Sequence, residues 1–293
     1  MTAQPTHCHF NGTILPIEQA HVSVLDRGFI FGDGIYEVVP VYGGVPFRAQ
    51  HHHQRLARSL AEVQIEAPFD QAGFMALLQD LLSHPSTPKL DRQMIYMQIT
   101  RGVAPRNHAM TPGITPTVFA LVQPMPAPSA KDLSQGVTCV SAPEFRWLKG
   151  HIKSISLLGA VMARQISVEA GATETLLHRD GCLTEGSSTN VWVVKDGQVF
   201  GVPKDAGVLE GIRYGLMQEL CQAQGIAFSL RPIAWSEVLG ADELLITSAS
   251  KEVLPVTQLD GQAVGLGQPG PVWKRLHAAY QEAIAASKSE PNH

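Results

Sequence analysis

Two runs in the first third of the chain, "IYEVVPVY" (35–42) and "QMIYMQIT" (93–100), are rich in β-branched and aromatic residues and predict strands. The two-residue Asn-Gly and Gly-Gly turns in "FNGT" and "VYGGVPF" mark hairpins beside them. Between the runs, "HHHQRLARSLAEVQ" and "QAGFMALLQDLLSH" predict two helices, the second opened by Asp70 as N-cap. "VQPMPAPSA" (122–130) then carries three alternate prolines, which continue neither a helix nor a central strand. This is the linker candidate, placed at 122–135 between domains at 1–121 and 136–293. Beyond it, short strands ("GVTCVSA", "ETLLHR", "NVWVVKDGQVFG", "DELLITSAS", "EVLPVTQLDGQAV") alternate with helical stretches at roughly 155–171, 211–225 and 271–287. Asp-Gly turns at 196–197 and 260–261 imply antiparallel or mixed pairing rather than a doubly wound parallel sheet. The expected fold class is α/β (α+β) in two domains with mixed sheets, a length of 293 residues being comfortable for two cores. A small-molecule site is expected in the crevice between them.

Composition narrows the function. Apolar residues make up 44% and charged residues 16%, and the net charge of −4 offers no basic face for a phosphate backbone, so nucleic acid is not expected as a partner. The N-terminus lacks a basic segment followed by an apolar one, and the longest apolar run, "ISLLGAVMA", is too short to span a bilayer. No membrane association is expected, and the cytoplasm is the expected location. Cys8, Cys139, Cys182 and Cys221 lie far apart without a C-x-x-C pair, which predicts reduced, mostly buried thiols. His51, His52 and His53 are consecutive on a predicted helix, where neighbours point about 100° apart and do not close on one ion; no metal is expected. His52 shares a helix face with Arg55.

Three segments carry candidate chemistry. In "TRGVAPRNHAMTPG" (100–113), Arg106, Asn107 and His108 are consecutive donors with no carboxylate near them in sequence, a loop set out for an anion. "RWLKGHIKSISLLGAVMARQ" holds Lys149 and Lys153 just ahead of an apolar stretch expected to be buried; each either snorkels to water or, held where charge is disfavoured, becomes a usable amine. "DGCLTEGSSTNVWVV" places Glu185 before a string of hydroxyl and backbone donors, which is either a turn-rich connection or a seat for a pyridinium nitrogen.

"DRGFIFGDGIYEVV", "HHHQRL", "TRGVAPRNHAM", "RWLKGHIKSISLLGAVMARQ", "HRDGCLTEGSSTNVW", "VLEGIRYGL" and "DELLITSASKEVLPV", in this order and spacing, resemble the D-amino acid transaminases. These belong to the fold-type IV pyridoxal-phosphate enzymes, beside branched-chain aminotransferases and aminodeoxychorismate lyase. The resemblance implies pyridoxal 5'-phosphate as cofactor and amino acid and 2-oxo acid as substrates. It puts the Schiff-base lysine at Lys153, the pyridine-nitrogen carboxylate at Glu185 and the phosphate-binding arginine at Arg55. It also implies cofactor contacts at Leu209, Ile212, Arg213, Ser248 and Ala249. Arg213 stands where the family has threonine, and Ala249 stands where a phosphate-contacting hydroxyl is possible. Tyr36, Arg106 and His108 are implied as the clamp on the substrate carboxylate, the loop reaching into the neighbouring site of a homodimer. Rival activities within the fold are branched-chain L-amino acid transamination, (R)-amine transamination and aminodeoxychorismate cleavage. "YEVV" with "PRNH" favours the D-amino acid type, and Pro40 is an oddity at the strand end. A non-catalytic pyridoxal-phosphate carrier has no need of the clamp.

Overall fold

The computed structural model describes residues 5–204 and 207–289, which fall into two compact units. The first comprises residues up to Pro126 together with Ile152–Leu157 and the chain from Ser287; the second comprises Ala127–His151 and Leu158–Ala286. In the first, strands β1 (His7–Phe10), β2 (Thr13–Pro16), β3 (Gly34–Tyr42), β4 (Val45–Pro46), β5 (Arg92–Thr100) and β6 (Thr117–Pro124) form an antiparallel sheet in the order β2-β1-β6-β5-β3-β4. Helices α1 (Arg27–Phe31), α2 (Ala49–Glu62) and α3 (Gln71–Ser83) accompany it. Asp70 caps α3 as predicted, its side chain accepting the Gly73 amide hydrogen at 2.8 Å. The period-two pattern of β5 turns Ile95, Met97 and Ile99 inward, where they pack with Leu56 and Leu60 of α2 and Phe74 and Leu78 of α3. Pro40 lies inside β3 without breaking it. It has the parity of Tyr36, whose N–H points away from β5, so the missing proline N–H costs the β3–β5 ladder nothing.

The second unit is a nine-stranded mixed sheet. Its strands are β7 (Val137–Pro143), β8 (Glu174–Arg179), β9 (Cys182–Gly186), β10 (Asn190–Lys195), β11 (Gln198–Gly201), β12 (Phe228–Leu230), β13 (Glu243–Ser248), β14 (Glu252–Leu259) and β15 (Gln262–Ala263). They run in the order β12-β11-β10-β13-β14-β7-β8-β9, with β15 paired to β14; β7 is parallel to both its neighbours, whereas the β10–β13–β14 ladder is antiparallel. Around it lie α4 (Ala130–Gln135), α5 (Leu158–Glu169), α6 (Arg213–Ala223), α7 (Trp235–Leu239) and α8 (Pro271–Ser289). Val191, Val193, Leu244, Ile246, Leu254 and Val256 form the core between strands.

Three expectations need correction. The units do divide within the proline-rich stretch, at Pro126–Ala127, but the connection is shorter than 122–135: Val122–Pro124 are the last rungs of β6 against Gln93–Ile95, and Ala130–Gln135 is the helix α4. The lysine segment does not belong with the C-terminal unit. Ile152–Leu157 runs along β3, with Tyr36 N–H donating to the Lys153 carbonyl at 3.0 Å and Ile155 N–H to that of Gly34 at 3.0 Å, which delays the start of α5 to Leu158. Third, the apolar stretch after Lys153 is not buried: Leu158 and Val161 are 73% and 62% exposed. Among the described residues no helix is long and apolar enough to cross a membrane.

Candidate active site

In the first unit, the edge of β3 positions the lysine. Backbone bonds on both sides fix Lys153: its carbonyl accepts from Tyr36, and its N–H donates to the Ser59 hydroxyl on α2 at 3.3 Å. Its Nζ stands 4.0 Å from the centre of the Tyr36 ring, and no carboxylate among the described residues pairs with it. Lys149 is exposed, in keeping with the snorkelling reading. The Tyr36 ring stacks on that of Tyr96 at 5.9 Å, whose half-buried phenol is pushed up to about 12 by desolvation and then by Tyr36.

Beneath Tyr36 lies a charge cluster that motif reading did not find. Glu37, fully buried on the opposite face of β3, receives Arg55 Nε at 2.8 Å and Nη2 at 2.7 Å, and its Oε2 meets His52 Nδ1 at 2.7 Å. Burial alone would raise this carboxyl, but the Arg55 guanidinium and His52 more than offset it and hold Glu37 well below the usual carboxylate range. His52 and Arg55 do share a helix face, and no group of histidine, cysteine and acidic side chains among the described residues suits a metal ion.

The anion-seeking loop has an anchored base and an open tip. Asp33 accepts Arg27 Nε at 2.7 Å and Arg101 Nε at 2.8 Å, while Arg101 also donates to the carbonyls of Val63 and Gln64 and Arg27 to that of Asn107. The two guanidinium groups hold the Asp33 carboxyl below its ordinary value against the opposing effect of burial. At the tip, Arg106 and His108 are exposed and both lie against the Phe31 ring, at 5.3 and 5.2 Å. Among the described residues neither forms an ion pair, and no ring contact or hydrogen bond joins either to Tyr36.

In the second unit, β9 delivers Glu185 to a buried place. Its Oε1 accepts Arg146 Nη2 at 2.9 Å and its Oε2 accepts the Leu209 amide hydrogen at 3.0 Å. Burial pushes the Glu185 carboxyl up to about 7 despite Arg146. Asn190 of β10 holds the same turn, donating to the Leu209 carbonyl at 2.9 Å, and Gly211 is required there because a Cβ would collide with the Asn190 side chain. The turn leads into α6, whose N-cap residue Ile212 makes no side-chain cap bond. Arg213 turns its guanidinium to the Tyr280 hydroxyl (Nη2 at 2.9 Å) and to the Ala249 carbonyl (3.2 Å), tying the start of α6 to the turn after β13. In that turn Ser248 Oγ accepts the Lys251 amide hydrogen at 3.1 Å.

Each unit by itself offers groups that suit part of a phosphorylated pyridine aldehyde: in the first, an amine without a carboxylate partner among the described residues suits its carbonyl, and in the second, a buried carboxyl that gains from a neighbouring cation suits its ring nitrogen.

The fold is that of the branched-chain aminotransferases. An Escherichia coli branched-chain amino acid aminotransferase superposes with a TM-score of 0.85 at 23% identity, over 95% of this chain and 94% of that one. A pyridoxal-phosphate-bound aminotransferase of Mycobacterium tuberculosis superposes with a TM-score of 0.80 at 19% identity, over 96% and 99%. In sequence, the chain is 38% identical to a D-alanine aminotransferase of Bacillus licheniformis over 96% of its own length and 98% of that protein's. Residues 34–259 match amino-transferase class IV, and the chain belongs to that family. It is an aminotransferase that works with pyridoxal phosphate.

Proposed function

We propose that the protein moves the amino group of a D-amino acid of the D-alanine or D-glutamate type to a 2-oxo acid, in two half-reactions. Its full-length likeness to D-alanine aminotransferases carries the reading. Pyridoxal phosphate supplies a carbonyl carbon that takes up the amino group and a ring that withdraws electrons from the α-carbon. Lys153 Nζ is the covalent anchor and then the base that takes the α-proton, with Tyr36 as its floor. Glu185 holds the proton on the ring nitrogen. The phosphate is assigned to the backbone N–H groups of Ile212 and Arg213 at the head of α6, to the Ser248–Ala249 turn and to Arg55, with Leu209 against the ring. Two donors of Arg55 go to Glu37, which fixes the plane of its guanidinium.

Tyr36, Arg106 and His108 are assigned to the substrate carboxylate, the loop serving the site of a second copy in a homodimer. Two features support this: among the described residues the loop donors Arg106 and His108 have no carboxylate partner in their own chain, and Val24, Phe29, Val103 and Met110 leave apolar surface exposed. The four free cysteines fit a reducing compartment, and we place the enzyme in the cytoplasm. The test is an assay of the cofactor-loaded protein against D-alanine, L-alanine and L-leucine with 2-oxoglutarate. D-alanine is expected to be the donor; preference for L-leucine overturns the reading.

A further inference from the structure

Glu185 is held on one side by a residue that the sequence motifs leave without a role. Arg146 lies three residues beyond the end of β7, with its side chain 14% exposed, between two carboxylates that are less exposed still. Towards Glu144 it is a two-edged contact, Nε to Oε1 at 2.9 Å and Nη2 to Oε2 at 2.6 Å. From the same Nη2 it reaches Glu185 Oε1 at 2.9 Å. Glu144 is fixed in turn by the Arg146 backbone N–H at 2.8 Å, and its own N–H donates to the His178 carbonyl at 2.7 Å. Arg179 is the other cation near Glu144, and its Nη2 donates to the Arg146 carbonyl at 3.2 Å.

We propose that Arg146 is the positioning residue for Glu185: the buried chain Glu144–Arg146–Glu185 fixes the Glu185 carboxylate and keeps it ionised for the cofactor's ring nitrogen. The proposal rests on the function given above. Its physical basis is charge and geometry together. Without Arg146 the carboxylate keeps two neutral donors, the Leu209 amide at 3.0 Å and the Asn190 side chain at 3.5 Å, both on Oε2, so Oε1 is left free to take up a proton where burial disfavours the charge. A planar guanidinium locked on Glu144 presents its remaining N–H at a fixed place, which a flexible ammonium does not. Glu144 takes both edges of the guanidinium and has Arg179 near it as well, so Glu185 is the less compensated of the two carboxylates and gains from a protonated ring nitrogen beside it.

The experiment compares wild type with Arg146→Gln, Arg146→Lys and the double variant Glu144→Gln/Arg146→Gln, which removes one charge of each sign and so guards against loss of the fold. Three properties are read: the affinity for pyridoxal phosphate by fluorescence titration, the pH titration of the bound cofactor's visible absorbance, and the Glu185 carboxyl carbon shift in the full chain without cofactor. Both glutamine variants should bind cofactor about 10- to 100-fold more weakly and should move the Glu185 midpoint upward by about a unit, with Arg146→Lys recovering part of each. A folded double variant whose affinity and Glu185 midpoint match wild type within about twofold overturns the proposal. Equal loss of affinity without any change in either titration also overturns it, because that marks a merely structural arginine. Failure of the underlying function looks different: wild type itself would take up no pyridoxal phosphate, which would overturn both.

Discussion

Tyr36 meets Lys153 twice, once through its backbone N–H on the lysine carbonyl at 3.0 Å and once through its ring, 4.0 Å from Nζ. The first contact is indifferent to the side chain and fixes the segment; the second depends on the ring. Tyr36→Phe keeps both and removes only the phenol hydroxyl, which is assigned to the substrate carboxylate. Cofactor affinity should be unchanged while kcat/KM for D-alanine falls by about 10- to 150-fold, the worth of one hydrogen bond to a charged acceptor. Steady-state kinetics on the two proteins checks this, and an unchanged kcat/KM would take the hydroxyl out of the clamp.

Glu37 is tied to stability rather than to substrate. Its folded carboxyl lies far below the usual range because Arg55 and His52 face it, so the contribution is present above the unfolded value near pH 4 and is lost as the pH falls further. Glu37→Gln strips a buried guanidinium of its counter-charge and should cost about 3 kcal/mol or more. The loss should appear at pH 7 as a lower thermal midpoint and should shrink below pH 4. A Tm at pH 7 equal to that of wild type would contradict it.

Glu185 has the opposite sign. Its folded value, about 7 against an ordinary 4.5, means that the folded chain binds the extra proton between those limits. The stability cost of ionising it is absent below about pH 4.5, grows as the pH rises to 7 and is complete above, at on the order of 3 kcal/mol. Cofactor-free protein should therefore lose thermal stability from pH 5 to 8, and Glu185→Gln should flatten that slope. An identical slope in the variant would assign it to another group.

Much of this was legible beforehand, and the exceptions have physical causes. Strands β3 and β5, helix α3 and its Asp70 cap follow from local propensity and period, which sequence carries directly. Lys153 and Glu185 stand in motifs. The Glu37–Arg55 pair lies 18 positions apart, with Glu37 inside a strand otherwise read for its apolar pattern and Arg55 read for an anion outside the chain. Arg146 carries no local signal, because its partner Glu185 stands 39 positions on and only the fold brings the two together. Leu158 and Val161 read as buried because hydrophobicity records what gains from being covered, not what covers it.

The base of the 101–113 loop should govern substrate affinity at a distance. Asp33 accepts from Arg27 and Arg101, and Arg27 in turn holds the Asn107 carbonyl between Arg106 and His108. Asp33→Asn keeps the shape but weakens both charged pairs, so the loop tip loses its fixed place. KM for D-alanine should rise about tenfold with kcat little changed, and the effect should vanish in an Arg106→Ala background if Asp33 acts through that arginine. Full additivity in the double-mutant cycle would show that Asp33 acts elsewhere.

The proposed clamp would also set chirality. If Tyr36, Arg106 and His108 hold the α-carboxylate at one place while Lys153 takes the proton from one face, only one enantiomer presents its α-hydrogen to Nζ with its side chain in the space that remains. Arg106 is suited to the task because its guanidinium, 5.3 Å from the Phe31 ring, has no carboxylate partner in its own chain among the described residues. Losing a charged donor to a bound carboxylate costs about 1.5–3 kcal/mol, or roughly 10- to 150-fold in kcat/KM. Arg106→Ala should impose that loss on D-alanine and D-glutamate while leaving cofactor affinity intact. (R)-1-phenylethylamine has no carboxylate for the clamp to hold, so it should be a poor donor for wild type and insensitive to Arg106. Parallel kinetics with D-alanine, L-leucine and this amine, in wild type and Arg106→Ala, decide the matter. Brisk use of the amine, indifferent to Arg106, would mean that something other than the clamp selects the substrate.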